Sequence, residues 1–84
     1  MDDRLVVREF VQKLLNEKGD GAPFSDGEHL VTQGRLQSID TVELVVFLEE
    51  KYGIDFGEIG FDQNQVESIE SILALIGTSG TKLN

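Results

Sequence analysis

Ser38-Ile39-Asp40-Thr41-Val42-Glu43-Leu44-Val45-Val46-Phe47-Leu48-Glu49-Glu50-Lys51-Tyr52-Gly53-Ile54 reads as one helix with both ends marked. Ser38 is a favourable N-cap type, and Asp40 in the first turn suits the positive end of the helix dipole. Gly53 after Tyr52 fits the left-handed residue that closes a helix, with apolar Ile54 placed for the accompanying contact. At about 100° per residue, Leu44, Val45, Leu48 and Tyr52 fall on one side and form a core stripe. Ile39, Val42 and Val46 fall on another side, interleaved with Glu43, Glu49 and Glu50. A solvated face does not need branched aliphatics, and a buried face does not tolerate three carboxylates. The mixture suits a docking surface, with acids to steer a basic partner and apolar groups to supply contact area; the competing reading is a helix that contacts neighbours on two sides, with the glutamates at the margins. Phe47 fits neither stripe, and a short later helix is expected to cover it.

Two further helices flank this one. Val7, Phe10, Val11 and Leu14 recur at i, i+3, i+4 and i+7, predicting a helix over 4–18, capped by Asp2 or Asp3 and stopped by Gly19. Near the other end, Asp62-Gln63-Asn64-Gln65 has the form of a capping box and predicts one short turn. Ser68 then caps a helix in which Ile69, Ile72, Leu73 and Ile76 share a face, with Gly77 as its stop. Between the first two helices, residues 19–37 form a glycine-rich loop holding the only proline, Pro23. Loops this long in small domains are often functional, and Phe24, Leu30 and Leu36 are the residues to pin it. Val31 and Thr32 hint at a strand without an evident partner. The expected fold is all-α: a small four-helix bundle of three principal helices and one short helix, with a long loop between helices one and two. One domain spans 1–77, and 78–84 forms a flexible tail.

Composition narrows the function. The 84 residues include 16 acids and seven bases, a net charge of −9. Gln37 to Ile72 hold nine of the acids and one base, Lys51. Phosphate backbones and anionic lipid repel such a surface, so nucleic acid and membrane are poor partners and basic protein surfaces are good ones. There is no cysteine, hence no disulfide and no thiolate nucleophile. No apolar run is long enough to span a bilayer, and Met1-Asp2-Asp3-Arg4 lacks the basic start of a leader. A cytoplasmic monomer is expected.

No catalytic constellation is present. His29 is the sole imidazole and reads as a solvated loop residue, which sets aside a serine hydrolase. The 62–73 acids lack the central glycine and final glutamate of a calcium loop. The glycines of the long loop lack phosphate-loop spacing. The chain is expected to be non-catalytic, with no metal site. Ser38 alone stands in an interesting place, where the loop meets a helix N-terminus beside the mixed face. A phosphate ester there is favoured by unpaired backbone N–H groups and by the helix dipole. An ordinary N-cap is the competing reading.

Gly34-Arg35-Leu36-Gln37-Ser38-Ile39-Asp40-Thr41-Val42-Glu43-Leu44-Val45 resembles the modification site and second helix of acyl carrier proteins. The similarity continues through Phe47-Leu48-Glu49-Glu50-Lys51-Tyr52-Gly53-Ile54-Asp55-Phe56 and returns at Val66-Glu67-Ser68-Ile69. The resemblance implies that Ser38 carries 4′-phosphopantetheine, transferred from coenzyme A by a phosphopantetheinyl transferase. The arm's thiol then holds acyl or aminoacyl groups as thioesters for loading and processing enzymes with basic docking surfaces, in fatty-acid, polyketide or related biosynthesis. It also implies that Gln37, Ile39, Asp40, Val42, Glu43, Val46, Glu49 and Glu50 form the surface those partners read. Gln37 departs from the family, which usually has aspartate before the serine. The lost contact amounts to about 1 kcal/mol if exposed, and it points to a dedicated transferase or a specialised carrier. Phe61-Asp62 is similar to the pattern of D-alanyl carriers. The alternative is an unmodified acidic adaptor that uses the same fold for protein contacts alone.

Overall fold

A computed structural model describes residues 2–80. Helix α1 spans Asp3–Glu17, α2 Ser38–Tyr52, α3 Phe56–Ile59 and α4 Ile69–Leu75. A 3₁₀ turn at Gln63–Val66 leads into α4, and a π-type turn at Ile76–Gly80 follows it. There is no strand among the described residues, so Val31 and Thr32 lie in turns. The all-α bundle with one long first loop is the observed architecture.

The helix ends follow local chemistry. The Asp2 carboxylate accepts from the Arg4 N–H at 3.0 Å, and Ser68 Oγ accepts from the Ser71 N–H at 3.1 Å. The 3₁₀ turn is closed reciprocally: Asp62 accepts from the Asn64 N–H, and Gln65 Oε1 accepts from the Asp62 N–H, both at 2.9 Å. Gly53 adopts φ +70°, where a side chain would be strained, and its N–H donates to the Glu49 carbonyl at 3.1 Å. Ile54 is buried beside it.

One expectation about a helix end is corrected. Gly77 does not stop the last helix: the backbone continues in the wider turn to Gly80, where Thr78 Oγ1 donates to the Leu75 carbonyl at 3.2 Å. Residues 81–84, the rest of the expected tail, lie outside the described residues. The α3 helix was not anticipated. Four residues are too few for a periodic signal, yet Asp55 caps it through the Glu58 N–H at 3.1 Å.

Helices α1 and α2 run antiparallel, as three contacts in descending register show. Tyr52 Oη donates to Asp3 Oδ1 at 3.3 Å, Phe10 stacks on Phe47 at 4.1 Å between ring centroids, and Lys18 pairs with Asp40. Phe47 is therefore covered by α1, not by a later short helix. A wheel gives the direction of a side chain but not its neighbour. The core joins Val7, Val11, Leu14 and Leu15 of α1 to Leu44 and Leu48 of α2 and to Ile69, Ile72, Leu75 and Ile76.

The long loop is anchored rather than slack. Phe24, Leu30 and Leu36 are buried in the core as expected, each side chain contributing about 1.5–3 kcal/mol against the cost of ordering the loop. Arg35 is its polar hub. The guanidinium meets Asp20 at 2.9 Å and Glu28 at 2.9 Å and donates to the carbonyls of Ala22 and Pro23 at 2.7 and 3.0 Å. These contacts hold the Asp20 carboxyl below its ordinary range, the Arg35 bond being the chief cause. Asp26 bridges Arg4 and Arg8 of α1, and its carbonyl accepts from the Glu70 N–H at 3.0 Å. The loop thus delivers residues 36–38 to a fixed place at the head of α2.

Candidate functional site

Ser38 is the first residue of α2, and Gln37, with extended backbone, is the flanking residue. The expected N-cap role of Ser38 is corrected accordingly. The reciprocal bond comes instead from Asp40, whose Oδ2 accepts from the Gln37 N–H at 2.8 Å. Ser38 is exposed, and its hydroxyl makes no hydrogen bond among the described residues. Only its carbonyl is engaged, accepting from Thr41 Oγ1 at 2.7 Å. The N–H groups of Ser38 and Ile39, at the start of the helix, have no acceptor one turn back.

Asp40 does not belong to the outer face. It is 5% exposed, pairs with Lys18 and caps Gln37, so its carboxylate is used inside the fold. Lys18 Nζ also donates to the Arg35 carbonyl at 3.1 Å and ties the end of α1 to the loop that precedes Ser38. The assignment of Asp40 as a partner contact is thereby corrected: an ion pair with a residue 22 positions upstream is invisible to a helical wheel.

The remaining residues expected on this surface are all exposed. Ile39 is 61% exposed, Val42 56% and Val46 45%, values high for branched aliphatics on a small protein. Gln37, Glu43, Glu49 and Glu50 are exposed as well. Starting from Ser38, α2 therefore presents an apolar ridge edged by carboxylates.

Two clefts flank this ridge and share Val42 and Val46. One, about 240 Å³, is lined by Thr41, Val42, Val45, Val46 and Phe61 and is almost wholly apolar. Phe61 reaches it from the segment after α3, with its ring edge against Phe56 at 5.9 Å between centroids. The other, about 320 Å³, lies towards α1 and is lined by Phe10, Val42, Glu43, Val46, Phe47 and Glu50. Phe61, Phe10 and Phe47 were not expected at a site. Phe61 sits in a short irregular segment without periodicity, and the two other rings meet only through the antiparallel register of α1 and α2.

On the far side of the loop, Glu67 is buried at 4% exposure. Burial pushes its carboxyl up, but donors at Thr32, whose N–H lies 2.6 Å away, and Gln63 outweigh that and hold it below the usual range. Its carbonyl accepts from the Leu30 N–H at 2.9 Å. These bonds are spent within the fold. His29 is exposed. No described helix is long and apolar enough to cross a membrane. No family model, no curated protein and no solved structure matches the chain.

Proposed function

We propose that the chain is an acyl carrier protein, with Ser38 as the attachment residue for 4′-phosphopantetheine. The observation that carries the reading is the exposed, hydrogen-bond-free hydroxyl of Ser38 at the head of the Ile39–Val42–Val46 ridge. The residues present fit the arm. The first-turn N–H groups and the helix dipole favour a phosphodiester on Ser38 Oγ. Asp40, two residues on, is the nearest carboxylate in sequence, and its pairing with Lys18 offsets the repulsion it would otherwise exert. The apolar cleft at Thr41, Val45 and Phe61 offers a neighbouring surface for aliphatic cargo. When bound, the arm supplies the thiol that this cysteine-free chain lacks and carries acyl or aminoacyl groups as thioesters.

The protein itself presents and orients; the transferase and the loading enzymes perform the chemistry. Their basic surfaces would meet Glu43, Glu49 and Glu50, with Ile39, Val42 and Val46 as apolar contact and Gln37 at the edge. The same net charge of −9 disfavours nucleic acid as a partner. The test is an intact mass after incubation with coenzyme A, magnesium and a broad-specificity phosphopantetheinyl transferase, with Ser38→Ala alongside. The parent is expected to gain one phosphopantetheine and the variant none. A parent that stays unmodified even with transferase from its own source is an unmodified adaptor, and Gln37 is then the first residue to restore to aspartate.

A further inference from the structure

The backbone that carries Ser38 is gripped from both sides by one ammonium. Lys18 caps the end of α1: its N–H donates to the Leu15 carbonyl at 3.1 Å, and Gly19 at φ +84° turns the chain away behind it. From that fixed root, Lys18 Nζ donates at 3.1 Å to the Arg35 carbonyl, three residues before Ser38. It also pairs with the Asp40 carboxylate, two residues after Ser38. The same oxygen, Asp40 Oδ2, accepts from the Gln37 N–H at 2.8 Å. Between these grips Leu36 is buried as an apolar peg. Only 27% of the Lys18 side chain and 7% of that of Asp40 face solvent, so salt screens the pair far less than a surface one. No other described cation pairs with Asp40, because the Arg35 guanidinium is turned to Asp20 and Glu28.

Attachment of phosphopantetheine makes a geometric demand on this segment. Ser38 Oγ forms a bond to the pantetheine-side phosphorus of coenzyme A while the phosphoanhydride P–O bond opposite breaks. Adenosine 3′,5′-bisphosphate leaves, and the hydroxyl proton passes to a base of the transferase. In-line attack depends on where Oγ sits, and a displacement of about 1 Å can cost about a hundredfold in rate. The Ser38 hydroxyl makes no hydrogen bond among the described residues, so its place is set by the backbone of 36–38. We propose that Lys18 is a positioning residue for modification at Ser38. It fixes that backbone through Arg35 and Asp40, and it cancels the charge of the carboxylate closest in sequence to the incoming diphosphate. The proposal rests on the carrier reading and gives the end of α1 a part in a reaction at the head of α2.

The test follows modification of the full chain by intact mass, with saturating coenzyme A, magnesium and a broad-specificity phosphopantetheinyl transferase, at varied carrier concentration. Lys18→Met is expected to lower kcat about tenfold while KM for the carrier stays within about twofold, since the exposed residues of α2 are untouched. Lys18→Arg keeps the charge and the donors and is expected to recover most of the lost kcat. Lys13→Met removes the same unit of charge from a lysine that is 63% exposed, and it is expected to match the parent. Each rate is taken at a temperature where circular dichroism shows the variant folded. Should Lys18→Met not fold, Lys18→Met combined with Asp40→Asn leaves no buried charge unpaired and is expected to be slow as well, the Arg35 carbonyl being released in both. A readout independent of the transferase is the ¹⁵N order parameter at Leu36, Gln37 and Ser38. It is expected to fall from about 0.85 to below about 0.6 in Lys18→Met, while Val11 and Leu44 stay rigid. Parent-like kcat in Lys18→Met, a loss confined to KM, an equal loss in Lys13→Met, or no recovery in Lys18→Arg would overturn the role of Lys18 and leave Ser38 as the attachment residue. A parent that takes no phosphopantetheine overturns the carrier reading, and this proposal with it.

Discussion

Asp40 and Ser38 stand two positions apart at the head of α2 and have opposite fates. The Asp40 carboxylate accepts the Gln37 N–H and pairs with Lys18 while almost fully buried. The Ser38 hydroxyl faces solvent and holds nothing. Stability and the proposed attachment are therefore separable here. Asp40→Asn keeps the side chain's shape but leaves the Lys18 ammonium without its counter-charge, and it is expected to cost about 1–3 kcal/mol in urea unfolding. Ser38→Ala removes no capping bond and is expected to stay within about 0.5 kcal/mol of the parent. A cost near that of a lost N-cap for Ser38→Ala would mean that its hydroxyl does close the helix. The near-neutral result makes Ser38→Ala a clean control for the proposed modification, since a failure to gain phosphopantetheine then reports the missing hydroxyl and not lost structure.

At the scale of elements, the long first loop is what makes the site possible, and Arg35 is its keystone. One guanidinium satisfies two carboxylates and two carbonyls spread over Asp20 to Glu28. Replacing it with methionine strips all four contacts and leaves the two acids facing each other. In Arg35→Met, amide hydrogen exchange is expected to speed up several-fold at Ala22, Glu28 and Gly34, while Val11, Leu14 and Ile72 in the helices keep their protection. Uniform acceleration everywhere would show that the loop opens only with the whole fold. These elements were unevenly legible in the sequence. Ends governed by adjacent residues could be read directly: Asp2, Gly53, the Asp62–Gln65 box and Ser68 all act where their residue types suggest. Ends and faces governed by distant residues could not. Asp40 turns inward because Lys18 reaches it from α1, Phe47 finds Phe10 across the antiparallel pair, and Glu67 is buried because the loop brings Thr32 to it. The exposed ridge of Ile39, Val42 and Val46 was legible because its signal, aliphatics among carboxylates, lies within one helix.

For the whole molecule, two electrostatic effects oppose each other, and pH separates them. Net charge −9 on 84 residues is self-repulsive at neutral pH, and the chain approaches neutrality only near its isoelectric point of about 4.3. Repulsion therefore relaxes as pH falls from 7 towards 5, which raises stability. Against this stand Asp20, Asp26 and Glu67, whose carboxyls are held below their ordinary values: Asp20 chiefly by Arg35, Asp26 chiefly by Arg4, and Glu67 by the Thr32 and Gln63 donors against the upward push of burial. A depressed folded-state pKa stabilises above the unfolded value of about 4 and is lost as pH falls through the folded value. The expected melting profile at low salt thus rises from pH 7 to about 5 and falls steeply below about 4. Salt acts on the two limbs differently. At high ionic strength the Debye length shrinks to a few Å, long-range repulsion is screened, and the melting temperature at pH 7 is expected to climb until the neutral-side slope flattens. The acid-side fall should survive, because its groups are in direct hydrogen-bond contact with their partners. Scanning calorimetry over pH 3–7 at two salt concentrations reads both limbs. A neutral limb indifferent to salt would mean that the acidic α2 face is not under strain and has no electrostatic reason of its own to seek a basic partner.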